Sequence, residues 1–195
     1  YLSSERIDVL IDATHPYASG ISANAYTAAR MTNVPFVALR RPAWLAVAGD
    51  RWTEVDGVRE AVRTLGPTPR RVFVTLGRNE LSPFAEAPQH FYLIRSVDPV
   101  EPPLPLPQVT YLTGRGPFAE ADERALMLTH GIEIVIAKNS GGGAIYGKIA
   151  AARSLGIGVI MLRRPALPVT PSVETVEDAL VWLDHALTSA AARGV

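Results

Sequence analysis

Short apolar runs alternate along this chain with polar, glycine-bearing loops and with apolar residues at helical spacing. The apolar run Ile7 to Ile11 ends on Asp12 and leads into a polar loop with Thr14, His15, Pro16 and Tyr17. A run apolar on both faces is what a strand buried between helix layers requires. Ile21, Ala25, Ala28 and Thr32 then fall on one helical face, and Asn33 with Pro35 ends that helix before a second strand, Phe36 to Leu39. A strand, helix, strand unit of this kind implies parallel strands. Beyond Arg40, Arg41 and Pro42 comes a loop carrying Trp44 and Trp52, and Val55, Val58, Val62 and Leu65 mark a helix that stops at Gly66 and Pro67.

The second half repeats the alternation. Val72 to Leu76 reads as a strand with Gly77 to Glu80 as the loop at its end, and Phe91 to Ile94 as another. The proline-dense VDPVEPPLPLPQ that follows is an extended connection, because few of its residues can donate to a ladder. Val109 to Leu112 is a strand leading into TGRGPF. Phe118, Ala121, Ala125 and Leu128 keep helical spacing, with Gly131 placed to cap the helix. Ile132 to Ile136 is the most hydrophobic strand and runs into KNSGGG. Ile145, Ile149 and Ala152 carry the next helix, Val159 to Leu162 the next strand, and Val173, Val176, Leu180, Leu183 and Leu187 the closing helix.

The segment Gly66 to Arg70, GPTPR, reads as a hinge, which predicts two domains, 1–68 and 69–195. An internal echo supports two related halves. Leu39-Arg40-Arg41-Pro42-Ala43 recurs as Leu162-Arg163-Arg164-Pro165-Ala166, and an Ala-Ala-Arg triplet ends at Arg30 in one copy and Arg153 in the other, nine residues before the leucine in both. The predicted fold class is therefore α/β: two Rossmann-like three-layer domains with mostly parallel sheets, related by an internal repeat, with the two arginine pairs at equivalent strand ends.

Composition narrows the function. Among 195 residues, nineteen basic and nineteen acidic side chains cancel, leaving no global field of the kind that binds nucleic acid or an anionic membrane. The absence of cysteine removes disulfides, thiolate metal sites and a cysteine nucleophile together. No signal peptide and no stretch of about twenty apolar residues is seen, so a cytoplasmic protein is expected. The chain opens YLSSERID without an initiator Met, and a preceding segment is expected.

In open α/β sheets ligands bind at the carboxyl ends of the strands, so the loops there carry the candidate chemistry. KNSGGG, Lys138 to Gly143, lies between a buried strand and a predicted helix start. With Lys148 beyond it, it reads either as an anion site or as a turn with Ser140 as N-cap and two solvated lysines. Gly141, Gly143 and Gly147 form a loose G-x-G-x-x-x-G relative of a dinucleotide fingerprint. Arg115 in TGRGPF suits bidentate carboxylate recognition, although the glycines around it also make a plain turn. His15 is a candidate acid or base or a hydrogen-bonding structural residue. Asp12 either receives a ribose hydroxyl or satisfies the turn. No second histidine stands at metal-ligand spacing, and no metal site is expected. Trp44 is a better candidate than Trp52 or Trp182 for stacking a flat ligand. There is no G-x-S-x-G elbow, Walker loop or paired-carboxylate motif.

DATHPYASGISANA at Asp12 to Ala25, LRRPAW at Leu39 to Trp44, FVTLGRNEL at Phe73 to Leu81, GRGPF at Gly114 to Phe118, AKNSGG at Ala137 to Gly142 and LRRPA at Leu162 to Ala166 together resemble the precorrin-6A reductase family of cobalamin biosynthesis, in the family's order and almost end to end. The resemblance implies hydride transfer from NADPH to one unsaturated bond of a tetrapyrrole macrocycle, giving a dihydro product, with domain 1–68 on the cofactor side and 69–195 anchoring substrate. The family's opening strand and glycine-rich turn, which help hold the cofactor phosphates, are not among these residues. Asp12, Thr14, His15, Pro16, Tyr17 and Arg40 are the implied cofactor residues. Arg115, Lys138, Asn139, Ser140, Gly141, Gly142 and Lys148 are the expected anchors for the carboxylates of the macrocycle. His15, Tyr17 and Tyr146 can each donate the accompanying proton, and the residues do not rank them. Hand-over contacts with other corrin-pathway enzymes are a further expectation. Two other readings stay open: a non-catalytic tetrapyrrole carrier, and an unrelated sugar- or nucleotide-binding α/β protein.

Overall fold

A computed structural model describes residues 1–191. In chain order the elements are β1 (Leu10–Asp12), α1 (Ser19–Thr32), β2 (Phe36–Leu39), β3 (Trp52–Val55), α2 (Val58–Leu65), β4 (Arg71–Thr75), β5 (Phe91–Ser96), β6 (Val109–Thr113), α3 (Glu120–Thr129), β7 (Ile134–Lys138), α4 (Gly147–Leu155), β8 (Gly158–Leu162), β9 (Ser172–Val173) and α5 (Val176–Ala191). Two 3-10 turns, Arg78–Glu80 and Ser82–Glu86, stand between β4 and β5. The chain forms two compact units: Tyr1–Ala43 with the chain from Pro165 onward, and Trp44–Arg164.

The first unit holds a parallel sheet in the order β1-β2-β9. Leu10, Phe36 and Ala38 pack with Ala25, Tyr26 and Ala29 of α1, and α5 packs against β2 and β9. The second unit holds a parallel sheet in the order β3-β8-β7-β4-β5-β6. One face, with Phe73, Leu93, Val135, Ala137, Val159 and Met161, packs on Met127 of α3 and on Ile149 and Ala152 of α4. Strand alternation turns Val72, Val74, Tyr92, Ile94, Ile136 and Ile160, all buried, to the other face. There α2 lies against β8, and Phe84 of the second 3-10 turn meets the Tyr92 ring edge-on at 5.3 Å. Helical layers on both faces explain why these strands are apolar throughout.

The repeat is structural. The carboxyl ends of α1 and α4 are both left-handed, at Asn33 and Gly156, with the cap N–H reaching the carbonyls of Ala29 and Arg30 in one and of Ala152 and Arg153 in the other. Each helix then feeds a central strand that ends on the leucine of Leu-Arg-Arg-Pro-Ala. The two halves also exchange their next strand. β3, downstream of the first motif, pairs with β8, and β9, downstream of the second, pairs with β2. The N–H groups of Arg40 and Arg163 extend these pairings, to the carbonyls of Val173 and Val55 respectively. The chain therefore changes unit at Ala43 and again at Arg164, whereas the expected hinge, Gly66 to Arg70, lies inside the second unit between α2 and β4.

Several boundaries differ from the sequence reading. The first strand is confined to Leu10–Asp12. Trp52, Val55 and Val173 belong to strands, because β3 is a polar edge strand and β9 has two residues, too short for a periodic signal. In α1 the buried face runs through Ser22 and Ala29 while Ile21 is exposed, since the hydroxyl of Ser22 turns inward to meet Thr14 Oγ1 at 3.2 Å. In α3 the buried side chains are Glu123 and Met127, and Leu128 faces water, because Glu123 is drawn in by Arg95.

Candidate functional site

All six strands of the second unit run in one direction, so the loops after β4, β6, β7 and β8 rise from a single edge. The loop after β7 is tightly held. Gly141 and Gly142 sit at φ 69° and 72°, a left-handed pair that only glycine adopts without strain. Their turn presents the carbonyl of Gly142 to Trp44 Nε1 at 2.8 Å. The Asn139 amide clamps the backbone of Trp44, accepting from its N–H at 2.7 Å and donating to its carbonyl at 2.9 Å. Arg164 Nε donates to the Asn139 carbonyl at 2.8 Å. Trp44 thus packs onto the loop expected to bind an anion, edge-on to Tyr146 at 5.4 Å.

This geometry revises the expected helix terminus. α4 begins at Gly147, and its cap residue is Tyr146, so Ser140 is not the N-cap and Lys148 lies in the first helical turn. Ser140 is buried, with its N–H on the Lys138 carbonyl at 2.9 Å. Gly147 is needed for packing: a Cβ there would stand 2.4 Å from the Phe118 carbonyl oxygen. That role explains the glycine spacing without a dinucleotide. The TGRGPF loop is also joined to this segment by Phe118 N–H to the Ala144 carbonyl at 3.1 Å. The structure therefore brings Arg115, Lys138 to Gly142 and Lys148 into one loop cluster.

The three cations there differ in character. Arg115 is exposed, and its guanidinium makes no hydrogen bond or ion pair among the described residues. Lys138 Nζ pairs with Glu80, which also accepts from the Gly77 N–H. Lys148 is 4% exposed, donates to the Ile145 carbonyl at 2.8 Å and lies 5.4 Å from the centre of the Trp44 ring. Burial pushes its ammonium down to about 8, with the Arg95 charge acting in the same direction and Glu123 opposing. Arg95 itself forms a buried pair with Glu123 and lies 3.7 Å from the Phe118 ring centre. The Tyr146 hydroxyl is held by Arg153, whose Nε also donates to Asp50 at 2.8 Å.

In the first unit the loop after β1 is organised by Asp12. Its Oδ1 accepts from the Thr14 N–H at 3.1 Å and from the Thr14 hydroxyl at 2.6 Å. Burial acts to raise this carboxyl, but the bonds from Ser22 and Thr14 and the nearby Arg40 charge outweigh it and hold the group below its usual value. Asp12 thereby satisfies the turn, as one of its two readings required. His15 Nδ1 accepts from the Tyr17 N–H at 3.3 Å, which leaves the proton of the neutral ring on Nε2. Pro16 is buried within the loop. Arg40 ties down the segment ahead of β9, donating to the Pro168 carbonyl at 2.7 Å and the Thr170 hydroxyl at 2.9 Å, while its buried Nε has no partner. A cavity of about 530 Å³ lined by Tyr26, Arg30, Asn33 and Phe36 opens at the amino end of β2, away from all of these residues.

Comparison with known proteins now adds to this geometry. A family model described as Precorrin-6x reductase CbiJ/CobK matches residues 1–184. The chain belongs to the precorrin-6x reductase CbiJ/CobK family. It is 53% identical over 190 residues to a precorrin-6A reductase of Sinorhizobium sp, a match covering 97% of this chain and 73% of the relative. A precorrin-6A reductase of Rhodobacter capsulatus is 46% identical over 196 residues, covering 100% of this chain and 77% of the relative. A solved structure titled CobK precorrin-6A reductase superimposes with a TM-score of 0.91 at 45% identity, covering 95% of this chain and 74% of the other.

Sequence reasoning missed two contacts of these loops. Glu80 and Arg78 stood in the quoted motif FVTLGRNEL but carried no role, because the pairing of Glu80 with Lys138 spans 58 positions and only strand order reveals it. The Trp44 to Asn139 clamp spans 95 positions and is equally invisible in a linear pattern.

Proposed function

We propose that this chain catalyses the NADPH-dependent reduction of precorrin-6A to its dihydro product, precorrin-6B, in cobalamin biosynthesis. The observation that carries the reading is the family match over residues 1–184, which spans the elements of both units. A precorrin is a broad, apolar-faced ring edged with carboxylates. It calls for separate cationic anchors, and charge-assisted bonds of that type are worth roughly 1.5–3 kcal/mol each where desolvated. The loops of the second unit supply such positions in Arg115, Lys138 with the amides of Gly141 and Gly142, and Lys148.

The first unit suits the cofactor. α1 begins Ser19-Gly20 with no side-chain cap and no acidic residue in its first turn, and a Cβ at Gly20 would meet nothing within 4 Å. An uncapped helix start of this kind favours phosphate, and the orphaned Nε of Arg40 is a further donor. Asp12 with Thr14 holds the loop in which His15, Pro16 and Tyr17 face the nicotinamide side. Bound NADPH supplies the hydride, and a proton completes the reduction. His15 Nε2 and the Tyr17 hydroxyl are donors in the first unit. In the second unit the Tyr146 hydroxyl, which accepts from Arg153, keeps its own proton and is a third donor. No helix among the described residues is long and apolar enough to cross a membrane, in keeping with a cytoplasmic enzyme that hands its product to other corrin-pathway enzymes.

The test is anaerobic turnover of precorrin-6A by the full chain, with NADPH oxidation followed by absorbance and the product by mass. A mass gain of two hydrogens with one NADPH consumed is expected. Binding of the macrocycle with no perturbation of nicotinamide fluorescence would instead make the chain a carrier.

A further inference from the structure

The second sheet reverses its winding between β4 and β7. From β4 the chain moves outward through β5 to β6, then crosses back to place β7 on the other side of β4 and continues to β8. The carboxyl ends of β4 and β7 therefore flank the crevice where ligands bind in open α/β sheets. The turn after β4, Gly77 to Glu80, is one wall and Lys138 to Gly142 the other. Glu80 bridges them by its pair with Lys138.

In a sheet with this strand order, a dinucleotide rests its pyrophosphate on the start of the helix that follows the first strand. That helix is missing here, because only 3-10 turns separate β4 from β5. The crevice has charged side chains in its place. Arg78 is exposed, with no hydrogen bond or ion pair from its guanidinium among the described residues. Lys138 is fixed beside it by Glu80, and Arg164 is fixed through the Asn139 carbonyl. Arg163, the other arginine of its motif, is already paired with Glu54 and Asp56. A crevice with three cations and one carboxylate, and without an α-helix start behind β4, suits carboxylates. Arg78 at the end of β4 and Arg115 at the end of β6 are also two strands apart, roughly 10 Å, a span suited to separate carboxylates on the edge of one large ring.

We propose that Arg78 is a further substrate-binding residue, anchoring a peripheral carboxylate of the macrocycle at this crevice while Glu80 holds Lys138 in place as the neighbouring anchor. This rests on the functional reading above and adds a residue to its substrate site. The experiment is equilibrium titration of the full chain with precorrin-6A, anaerobic and without NADPH, read by quenching of tryptophan fluorescence. Arg78→Ala is expected to weaken binding at least about tenfold, the loss of one charge-assisted bond, with Arg78→Lys falling between it and the unchanged chain. The exposed Arg59, which pairs with Glu86, provides the control, and Arg59→Ala should bind as the unchanged chain does. Because Arg78 is exposed, the thermal midpoint of Arg78→Ala should be unaltered. Affinity of Arg78→Ala within twofold of the unchanged chain overturns the assignment of Arg78 alone. Failure of the unchanged chain to bind precorrin-6A overturns the functional reading and this proposal with it.

Discussion

Lys148 combines a role proposed in binding with a burden on the fold. Its ammonium is buried with a single carbonyl acceptor, and a buried charge lacking full compensation destabilises the folded state. Replacement by the similarly shaped, neutral Met should leave stability unchanged or raise it by about 1 kcal/mol in urea unfolding. Macrocycle affinity should meanwhile fall about tenfold. A large loss of stability would show that the amine is needed by the fold. The folded group, at about 8, titrates below an unfolded lysine. The folded chain therefore releases its proton first, and this group's contribution to stability rises with pH from about 8 to the ordinary lysine range. His90 acts at the other end of the scale. Burial holds its imidazole below the ordinary value, Arg70 adds to this and the bond to Gly66 opposes it. The unfolded chain takes the proton first, so stability should fall as pH drops below about 6.5, by at most about 1.4 kcal/mol per pH unit. His90→Leu should be less stable at neutral pH, because the Arg70 N–H loses its acceptor, yet show a flatter acid limb in chemical denaturation. Residue identities of this kind are legible in a sequence. Burial of Lys148 and the partner of Lys138 are not, because both depend on strands far apart in the chain.

Among the elements, the loop after β7 shows what spacing can and cannot reveal. The glycine run and its place after an apolar strand were readable, because two consecutive left-handed residues demand glycine. The start of α4 was misplaced because a turn of four residues, Gly143 to Tyr146, separates the glycines from the helix, and no capping side chain marks it. Likewise β3 and β9 gave no signal, one being a polar edge strand and the other two residues long. The loop's rigidity is set by Asn139, which makes two backbone hydrogen bonds to Trp44. Asn139→Ala leaves both backbone groups without their partner and should lower stability by about 2 kcal/mol. It should also shift tryptophan emission to longer wavelength as Trp44 leaves the Gly142 carbonyl. An unshifted spectrum with normal stability would mean that the clamp contributes little to holding the loop.

At the scale of the molecule, the α/β class, the parallel sheets and the repeat were all legible, because each half carries the same helix, strand and Leu-Arg-Arg-Pro-Ala signature. The partition was not, because Gly66 to Arg70 has the composition of a linker yet lies within one unit, while the true crossings lie in the repeated motifs themselves. Reciprocal strand exchange makes the two units unequal as folding problems. Residues 44–164 are contiguous and include all six strands of their sheet, the helices on both faces and the buried core between them. The first unit is assembled from two separated pieces, and without β9 and α5 its central strand β2 becomes an edge with Val37 uncovered. Residues 44–164 expressed alone should therefore unfold cooperatively in urea and retain α/β circular dichroism, whereas residues 1–43 alone should not fold. The same fragment divides the proposed chemistry. It keeps Arg115, Lys138 and Lys148, so it should quench its tryptophan emission on titration with precorrin-6A. It lacks Asp12 to Tyr17 and Arg40, so it should leave NADPH fluorescence unperturbed. A fragment that binds NADPH as well as the full chain would move the cofactor site out of the first unit and leave its loop, organised by Asp12, with a structural role alone.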